Sequence, residues 1–164
     1  MIVVADASPL HYLIVVDQIL LLERLYGSVF VPDAVAAELR APQAPASVRA
    51  WIVRPPSWVQ VVPVPSEEAA SVADWLDPGE RAAIALAERI RATLVLIDDA
   101  DGKAEAVRRH FRVTGTLGVL RAAADEGLID VPAVLTRLSR TTFYTDPRLV
   151  DRLFQRWLKK TGGE

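Results

Sequence analysis

Five short apolar runs separated by helix-length segments are the feature that most constrains the fold of this chain. The runs are rich in β-branched residues, and they are Ile2–Ala5, Ser28–Val31, Trp58–Val62, Thr93–Ile97 and Phe111–Val113. Runs of this length indicate buried strands, whereas the segments between them carry helix start and stop signals. Strands that alternate with helices predict a three-layer α/β/α fold with a mostly parallel central sheet.

Two of the connecting segments have less regular patterns. Residues 41–56 carry four prolines, which predicts irregular structure around a short turn of helix. Ser66–Trp75 follows two prolines and is expected to be a helix. A chain of 164 residues suits one domain. We assign residues 1–160 to that domain and residues 161–164 to a disordered tail.

The composition excludes several functional classes. The chain has no cysteine, which removes disulfides, thiolate zinc sites and cysteine nucleophiles. The N-terminus has no basic region before its apolar run and meets Asp6 at once, so it is not expected to be a signal peptide. Asp17 and Glu23 interrupt the longest apolar stretch, so a membrane span is not expected. We therefore expect a cytoplasmic protein.

The net charge of −2 conceals an uneven distribution along the chain. Residues 1–102 contain 14 acidic and 7 basic residues, whereas residues 103–164 contain 7 acidic and 12 basic residues. This division suggests an acidic pocket and a separate basic surface. An ordinary solvated face of Arg and Lys on the last helices explains the second half equally well.

Acidic residues follow two of the predicted strands directly. Asp6 comes after the first run, and Asp98 and Asp99 come after Thr93–Ile97. Ligands of parallel sheets bind beyond the carboxyl ends of the strands, so these acids are expected to meet at one edge. Glu38 and Glu80 lie in predicted helices and are the further candidates. Clustered carboxylates repel one another, and Mg²⁺ or Mn²⁺ removes that cost because these ions prefer oxygen ligands.

Each acid also has an ordinary structural explanation. Asp98 and Asp99 could cap the following helix, although two adjacent acids exceed what one cap needs. The spacing of Asp77 and Glu80 is close to a capping box, so Glu80 alone would be structural. Glu38 alone is an unremarkable helical side chain, because exposed glutamates are common in helices.

Five segments, taken in order, resemble the PIN-domain nucleases, most closely a stand-alone bacterial and archaeal subfamily. These segments are the opening D-x-S-P-L at residues 6–10, P-x-x-V-x-x-E at 32–38, G-E-x-x-A-I-x-L-A at 79–87, I-D-D at 97–99 and T-G-T-L-G at 114–118. The resemblance covers about residues 2–129. It raises Glu38 and Glu80 above their structural explanations.

The resemblance implies a metal-dependent ribonuclease. Asp6 and Asp98 would bind the first ion, with Asp99 nearly equivalent to Asp98, and Glu38 and Glu80 would complete the shell directly or through water. Metal ions at such a site activate water and neutralise charge on phosphorus. The resemblance further implies an RNA substrate, a 5′-phosphate product, a role as the toxin of a toxin–antitoxin pair with a small antitoxin protein as partner, and a homodimer.

Four other residues are candidates for substrate binding. Lys103 stands where the subfamily often has Arg, and it can contact a phosphate as a point charge. Thr114 and Thr116 are most simply explained as caps of the next helix, but their hydroxyls could instead face a phosphate. Ser8 has the same two explanations, as a helix cap or as a site hydroxyl.

Two other functions remain open on sequence grounds. An acidic-pocket phosphotransfer protein would place an Asp nucleophile in a D-x-D signature after the first strand. Ser8 stands here in place of the second Asp of that signature, which counts against this function. A non-catalytic RNA-binding or interaction module with the same fold would bind RNA without divalent cations and would not cleave it.

Overall fold

The chain builds one five-stranded, entirely parallel sheet in the computed structural model, which describes residues 1–159. The strand order is β3-β2-β1-β4-β5. The strands are β1 (Val3–Ala5), β2 (Val29–Pro32), β3 (Val59–Val62), β4 (Leu94–Leu96) and β5 (Val113–Thr114). The predicted α/β class is confirmed. The tail predicted at residues 161–164 lies outside the described residues.

Helices pack on both faces of this sheet. They are α1 (Ala7–Val15), α2 (Leu21–Tyr26), α3 (Asp33–Arg40), α4 (Ala46–Val53), α5 (Ser66–Ala69), α6 (Pro78–Ile90), α7 (Ala100–Arg108), α8 (Thr116–Asp125), α9 (Val131–Ser139) and α10 (Pro147–Leu158). The larger hydrophobic core joins one face to α1–α4 and α8–α10, and the smaller core joins the other face to α6 and α7. The result is three layers.

The strands alternate between the two cores, as their side-chain period of two requires. In β1, Val3 and Ala5 belong to the larger core and Val4 belongs to the smaller one. In β4, Leu96 faces the larger core and Val95 the smaller one. Both strands are fully buried, which explains why they are continuous apolar runs in the sequence.

The sheet has its topological switch point between β1 and β4. The chain leaves β1 through α1, which packs in the larger core, and leaves β4 through α7, which packs in the smaller core. The two connections therefore diverge to opposite faces of adjacent strands. A crevice forms at the carboxyl ends of strands at such a point, and ligands of α/β proteins bind there.

Two local predictions are wrong in length. The helix expected over Ser66–Trp75 ends at Ala69. The helix ends early because the Ser71 hydroxyl donates to the Glu68 carbonyl at 2.8 Å and so competes with the hydrogen bonds that would continue the helix. Conversely, the segment expected to be mostly irregular contains the eight-residue α4, whose Val48 and Ile52 are buried one turn apart.

Candidate active site

Asp6 and Asp98 lie at the switch point, on the two strands that flank it. The Asp6 amide donates to the Leu96 carbonyl at 2.9 Å, so it extends the pairing of β1 with β4. The Asp6 side chain is only 5% exposed, which is rare for a carboxylate without a cationic partner. Asp98 follows β4 by two residues and is partly buried. The strand topology therefore brings together two acids that are distant in sequence.

Asp98 is held by three hydrogen bonds from two other elements. Its Oδ2 accepts from the Ser8 hydroxyl at 2.8 Å and from the Thr116 hydroxyl at 2.7 Å. Its Oδ1 accepts from the Thr116 backbone amide at 2.6 Å. Three donors aimed at one carboxylate fix its orientation. Asp98 thus links the first turn of α1 to the first turn of α8.

These bonds correct three capping predictions. Ser8 does not cap α1, because Asp6 occupies the N-cap position and makes no side-chain cap bond. Thr116 caps nothing locally, since Gly115 is the N-cap of α8 and the cap of this helix comes from Asp98. Thr114 ends β5 instead of capping α8. The two hydroxyls that sequence reasoning favoured as caps are therefore orienting groups for an acid.

Asp77 and Glu80 form the N-terminus of α6, which packs against Asp6. The Glu80 amide donates to Asp77 Oδ1 at 2.8 Å, and the Asp77 amide donates weakly to Glu80 Oε2 at 3.4 Å, which completes a capping box. Glu80 is only 6% exposed. Gly79 permits the close packing: a Cβ there would lie 3.3 Å from Asp6 Oδ1 and 3.5 Å from Asp77 Oδ1. Asp77 is thus a fourth acid at the site.

Asp77 was missed as a site residue because its capping role explained it fully. The sequence signal was available, since a side chain one turn before Glu80 must share the surroundings of Glu80. A residue that caps a helix can still add its charge to a neighbouring site.

Burial and mutual repulsion perturb the acids of this site. The pKa of Asp6 is raised to about 7, mainly by burial, which a hydrogen bond from the Ala7 amide opposes and the charges of Asp77, Glu38 and Asp98 reinforce. Burial, followed by the charges of Asp77, Asp99 and Asp6, raises the pKa of Glu80 to about 8.

Glu38 lies at the exposed rim of the same site. Partial burial and the charge of Asp77 raise its pKa above the ordinary value. Glu38 and Ser8 line a cleft of about 210 Å³ beside α1. Its charge also acts on Asp6, which shows that the predicted Glu38 position belongs to the same electrostatic neighbourhood.

Asp99 has a different role from its neighbour Asp98. Its Oδ2 accepts from the Gly102 amide at 3.0 Å, which makes it the N-cap of α7, the structural role that the sequence analysis offered for Asp98 and Asp99. Asp99 is exposed, yet its charge still raises the pKa of Glu80. The structure therefore favours Asp98 over Asp99 as the oriented acid.

The cations near the site are few. Lys103 Nζ lies 3.1 Å from the position that a Cβ on Gly115 would take, and Asp98 Oδ1 crowds the same position. Lys103 forms no ion pair within residues 1–159. Arg108 and Arg109 pair with the buried Glu105, so these two cations serve the packing of α7.

The side chains of the site present carboxylate and hydroxyl oxygens, the type of ligand that hard divalent cations prefer. Across the described chain, none of Asp6, Glu38, Asp77, Glu80, Asp98 and Asp99 forms an ion pair with a basic side chain. In residues 1–159, no group of three or more His, Cys, Asp or Glu side chains is arranged to hold a metal ion. Mg²⁺ commonly takes only one or two protein carboxylates and completes its shell with water and substrate phosphate. Such a site fits the acids present.

Comparison with known proteins identifies the family. A protein-family model described as "DUF3368: PIN domain" matches residues 2–159. The chain therefore belongs to this PIN-domain family, whose nuclease-like fold agrees with the parallel sheet and with the acids at its switch point. A search of curated proteins finds no match. No helix in residues 1–159 combines the length and apolar character that crossing a membrane requires.

Proposed function

We propose that this protein is a divalent-metal-dependent ribonuclease that hydrolyses RNA phosphodiester bonds. The observation that carries the proposal is the buried, unpaired Asp6 beside the oriented Asp98 at the switch point. A carboxylate is buried without a cation only at considerable cost, and a bound divalent ion offsets that cost. The PIN-domain membership agrees with this chemistry.

The residues divide into those that would hold the ion and those that position them. Asp6 and Asp98 are the two carboxylates that would hold Mg²⁺ or Mn²⁺ directly. Ser8 and Thr116 keep Asp98 in one orientation through their hydroxyl groups. A bound ion would supply charge neutralisation at the phosphate and a water of lowered pKa.

The remaining acids surround this pair with negative charge. Glu80 and Asp77 stand at the start of α6, Asp99 at the start of α7 and Glu38 at the rim. Their charges already raise the pKa values of Asp6 and Glu80, which is the sign of a field that attracts cations. Lys103, at the other end of the site, provides a positive charge for the RNA backbone.

A non-catalytic RNA-binding module is the second candidate. The lack of a preassembled group of three ligands within residues 1–159 favours it. It predicts that RNA binding is independent of divalent cations and that no cleavage occurs. The toxin role, a small antitoxin partner and a homodimer are proposals that depend on the resemblance alone. A cytoplasmic location is a proposal that depends on the composition and the N-terminal sequence.

The decisive experiment measures cleavage of a mixed RNA pool by wild type, Asp6→Asn and Glu80→Gln, with Mn²⁺ or with EDTA. Loss of groups that merely support a metal ligand costs about 10–100-fold. We expect Asp6→Asn to lose at least that much. Glu23→Gln is the matched control, because Glu23 also occupies the first turn of a helix but is exposed on α2.

The outcomes separate the two candidates. Mn²⁺-dependent cleavage that disappears in both site variants and persists in Glu23→Gln supports the ribonuclease. Cleavage that Asp6→Asn leaves intact refutes it. RNA binding without any cleavage, unchanged by EDTA, establishes the binding module instead. Calorimetric titration of Mn²⁺ into wild type and Asp6→Asn tests ion binding independently of activity.

A further inference from the structure

We propose that Tyr144 forms a stacking platform for one base of a single-stranded RNA, in the cleft that leads from Asp98 and Lys103 to the loop before α10. The inference rests on the proposed function, since it places the substrate strand relative to the acids. It adds a substrate subsite formed by the loop before α10, which contains none of the site residues predicted from the sequence.

Tyr144 is unusually exposed for an aromatic residue. It is 90% accessible, whereas the neighbouring Phe143 is partly buried. An exposed aromatic ring in a polar loop contributes little to the stability of the fold. It can stack on any base, because every base presents a π surface. The position therefore suits contact with single-stranded nucleic acid of varied sequence.

A continuous cleft connects Tyr144 to the candidate active site. Its volume is about 410 Å³, in the range of small-ligand sites. Its lining includes Asp98, Lys103, Thr114, Gly118, Tyr144 and Leu153. Gly118 keeps the cleft open where Thr114 approaches, since a Cβ there would overlap the Thr114 hydroxyl. A nucleotide in this cleft would contact a carboxylate at one end and an aromatic ring at the other.

The loop that presents Tyr144 is held in place before any ligand binds. The Tyr12 hydroxyl hydrogen-bonds the Thr142 hydroxyl at 2.9 Å, and the rings of Tyr12 and Phe143 pack edge to face at 5.0 Å. The Phe143 amide donates to the Thr141 hydroxyl at 3.1 Å, which in turn donates to the Leu138 carbonyl. A preorganised loop loses little conformational entropy on binding.

Helix α10 forms the other wall of the cleft, and it is anchored independently. Trp157 packs against two guanidinium groups, with Arg121 at 5.3 Å and Arg156 at 4.9 Å from the ring centroid. Arg121 also donates to the Leu153 carbonyl at 2.7 Å. The wall that carries Leu153 is therefore fixed to α8, the helix whose first turn holds Asp98.

The positive charge of Lys103 at the inner end of the cleft favours a nucleic-acid strand as the ligand. Lys103 lines the cleft and has no ion-pair partner among the described residues. An unpaired ammonium group attracts a phosphate of the strand. Phosphate contact at Lys103 and stacking at Tyr144 together define a path for a single strand across the site.

The test measures binding of a fluorescently labelled oligouridine of about ten nucleotides by fluorescence anisotropy, in EDTA, with the full chain. We expect Tyr144→Ala to bind about 5–100-fold more weakly, which is the effect of losing one stacked base. Tyr144→Phe keeps the ring and should bind within about twofold of wild type. Leu20→Ala is the control, because Leu20 is equally a large exposed apolar residue, 61% accessible, and lies in the connection between α1 and α2.

A second oligonucleotide of the same length, with abasic nucleotides throughout, identifies stacking as the cause. Wild type should bind the abasic strand more weakly than oligouridine. Tyr144→Ala should bind the abasic strand about as weakly as wild type does, because the ring has no base left to stack on. Equal affinity of wild type and Tyr144→Ala for oligouridine, or no binding by wild type, overturns the inference. An equal loss in Leu20→Ala overturns it too.

Failure of this inference is distinguishable from failure of the proposed function. Mn²⁺-dependent cleavage that is lost in Asp6→Asn but is unaffected by Tyr144→Ala leaves the ribonuclease standing and removes the stacking subsite. Weaker oligouridine binding by Tyr144→Ala in a protein that never cleaves RNA supports the subsite and refutes the ribonuclease.

Discussion

Asp6→Asn should stabilise the ion-free protein at alkaline pH, although it removes a residue of the candidate active site. Burial and three neighbouring acids raise the pKa of Asp6 from 3.8 to about 7. The folded chain therefore binds this proton more tightly than the unfolded chain. Its contribution to stability is complete below about pH 4 and is lost as the pH rises through about 7.

The expected magnitude follows from the raised pKa. One pH unit of linkage corresponds to about 1.4 kcal/mol of stability. Between pH 5 and its raised pKa of about 7, the proton on Asp6 contributes about two such units, and this contribution is lost by pH 8. The asparagine side chain keeps the shape and the hydrogen bond from the Ala7 amide but cannot ionise. Relative to wild type, Asp6→Asn should gain about 2–3 kcal/mol in free energy of unfolding between these two pH values.

Urea unfolding followed by circular dichroism, in EDTA at pH 5 and pH 8, measures this difference. Asp151→Asn is the control, because Asp151 is exposed on α10 and should change stability by less than about 0.5 kcal/mol. Saturating Mn²⁺ should stabilise wild type far more than Asp6→Asn, since the proposed ion site of the folded protein requires the Asp6 carboxylate. A stability difference between Asp6→Asn and wild type that is the same at pH 5 and at pH 8 would refute the electrostatic reasoning.

Three further predictions concern Asp77 and Thr116 at the candidate site and Glu105 on α7. Asp77→Asn keeps a capping oxygen but removes a charge, so the pKa of Asp6 should fall towards its ordinary value in a carboxyl ¹³C NMR titration, and an unchanged pKa would contradict the assigned repulsion. Thr116→Val removes one hydrogen bond to Asp98, so it should cost about 1 kcal/mol in urea unfolding and lower Mn²⁺ affinity, whereas Thr116→Ser should retain both. Glu105→Gln should lower the melting temperature at pH 7. The pKa of Glu105 is lowered to about 2 by its two arginine partners, so the difference should vanish as the pH falls towards 2, and a difference that persists there would show that packing is responsible.

The architecture was largely predictable from the sequence because its strands are fully buried. A parallel strand buried on both faces is a continuous apolar run, and β1 and β4 show this pattern without ambiguity. The acids that follow them, Asp6 and Asp98, could then be placed at one edge by the strand topology. Strand order was not predictable, because several arrangements satisfy the same pattern of runs.

The hydrogen-bond partners of the site were less predictable because they depend on tertiary contacts. Ser8 and Thr116 have sequence patterns typical of helix caps, and only the fold shows that both hydroxyls donate to Asp98. The local explanation of Asp77 was correct, since it caps α6, but it hid the charge that Asp77 adds to the site. The role of Tyr144 has no local signal, because a tyrosine in a polar loop matches no motif.

Because β1 pairs directly with β4, the candidate site is sensitive to a shift of one residue in the register of these strands. Ala5 is in register with Leu96, and the Asp6 amide continues that ladder. Because adjacent residues of a strand point to opposite faces, deleting one residue within β1 would either shift Asp6 out of the crevice or force an apolar side chain into the wrong core. A change of one residue in length between Val3 and Ala5 would therefore remove the proposed ribonuclease chemistry.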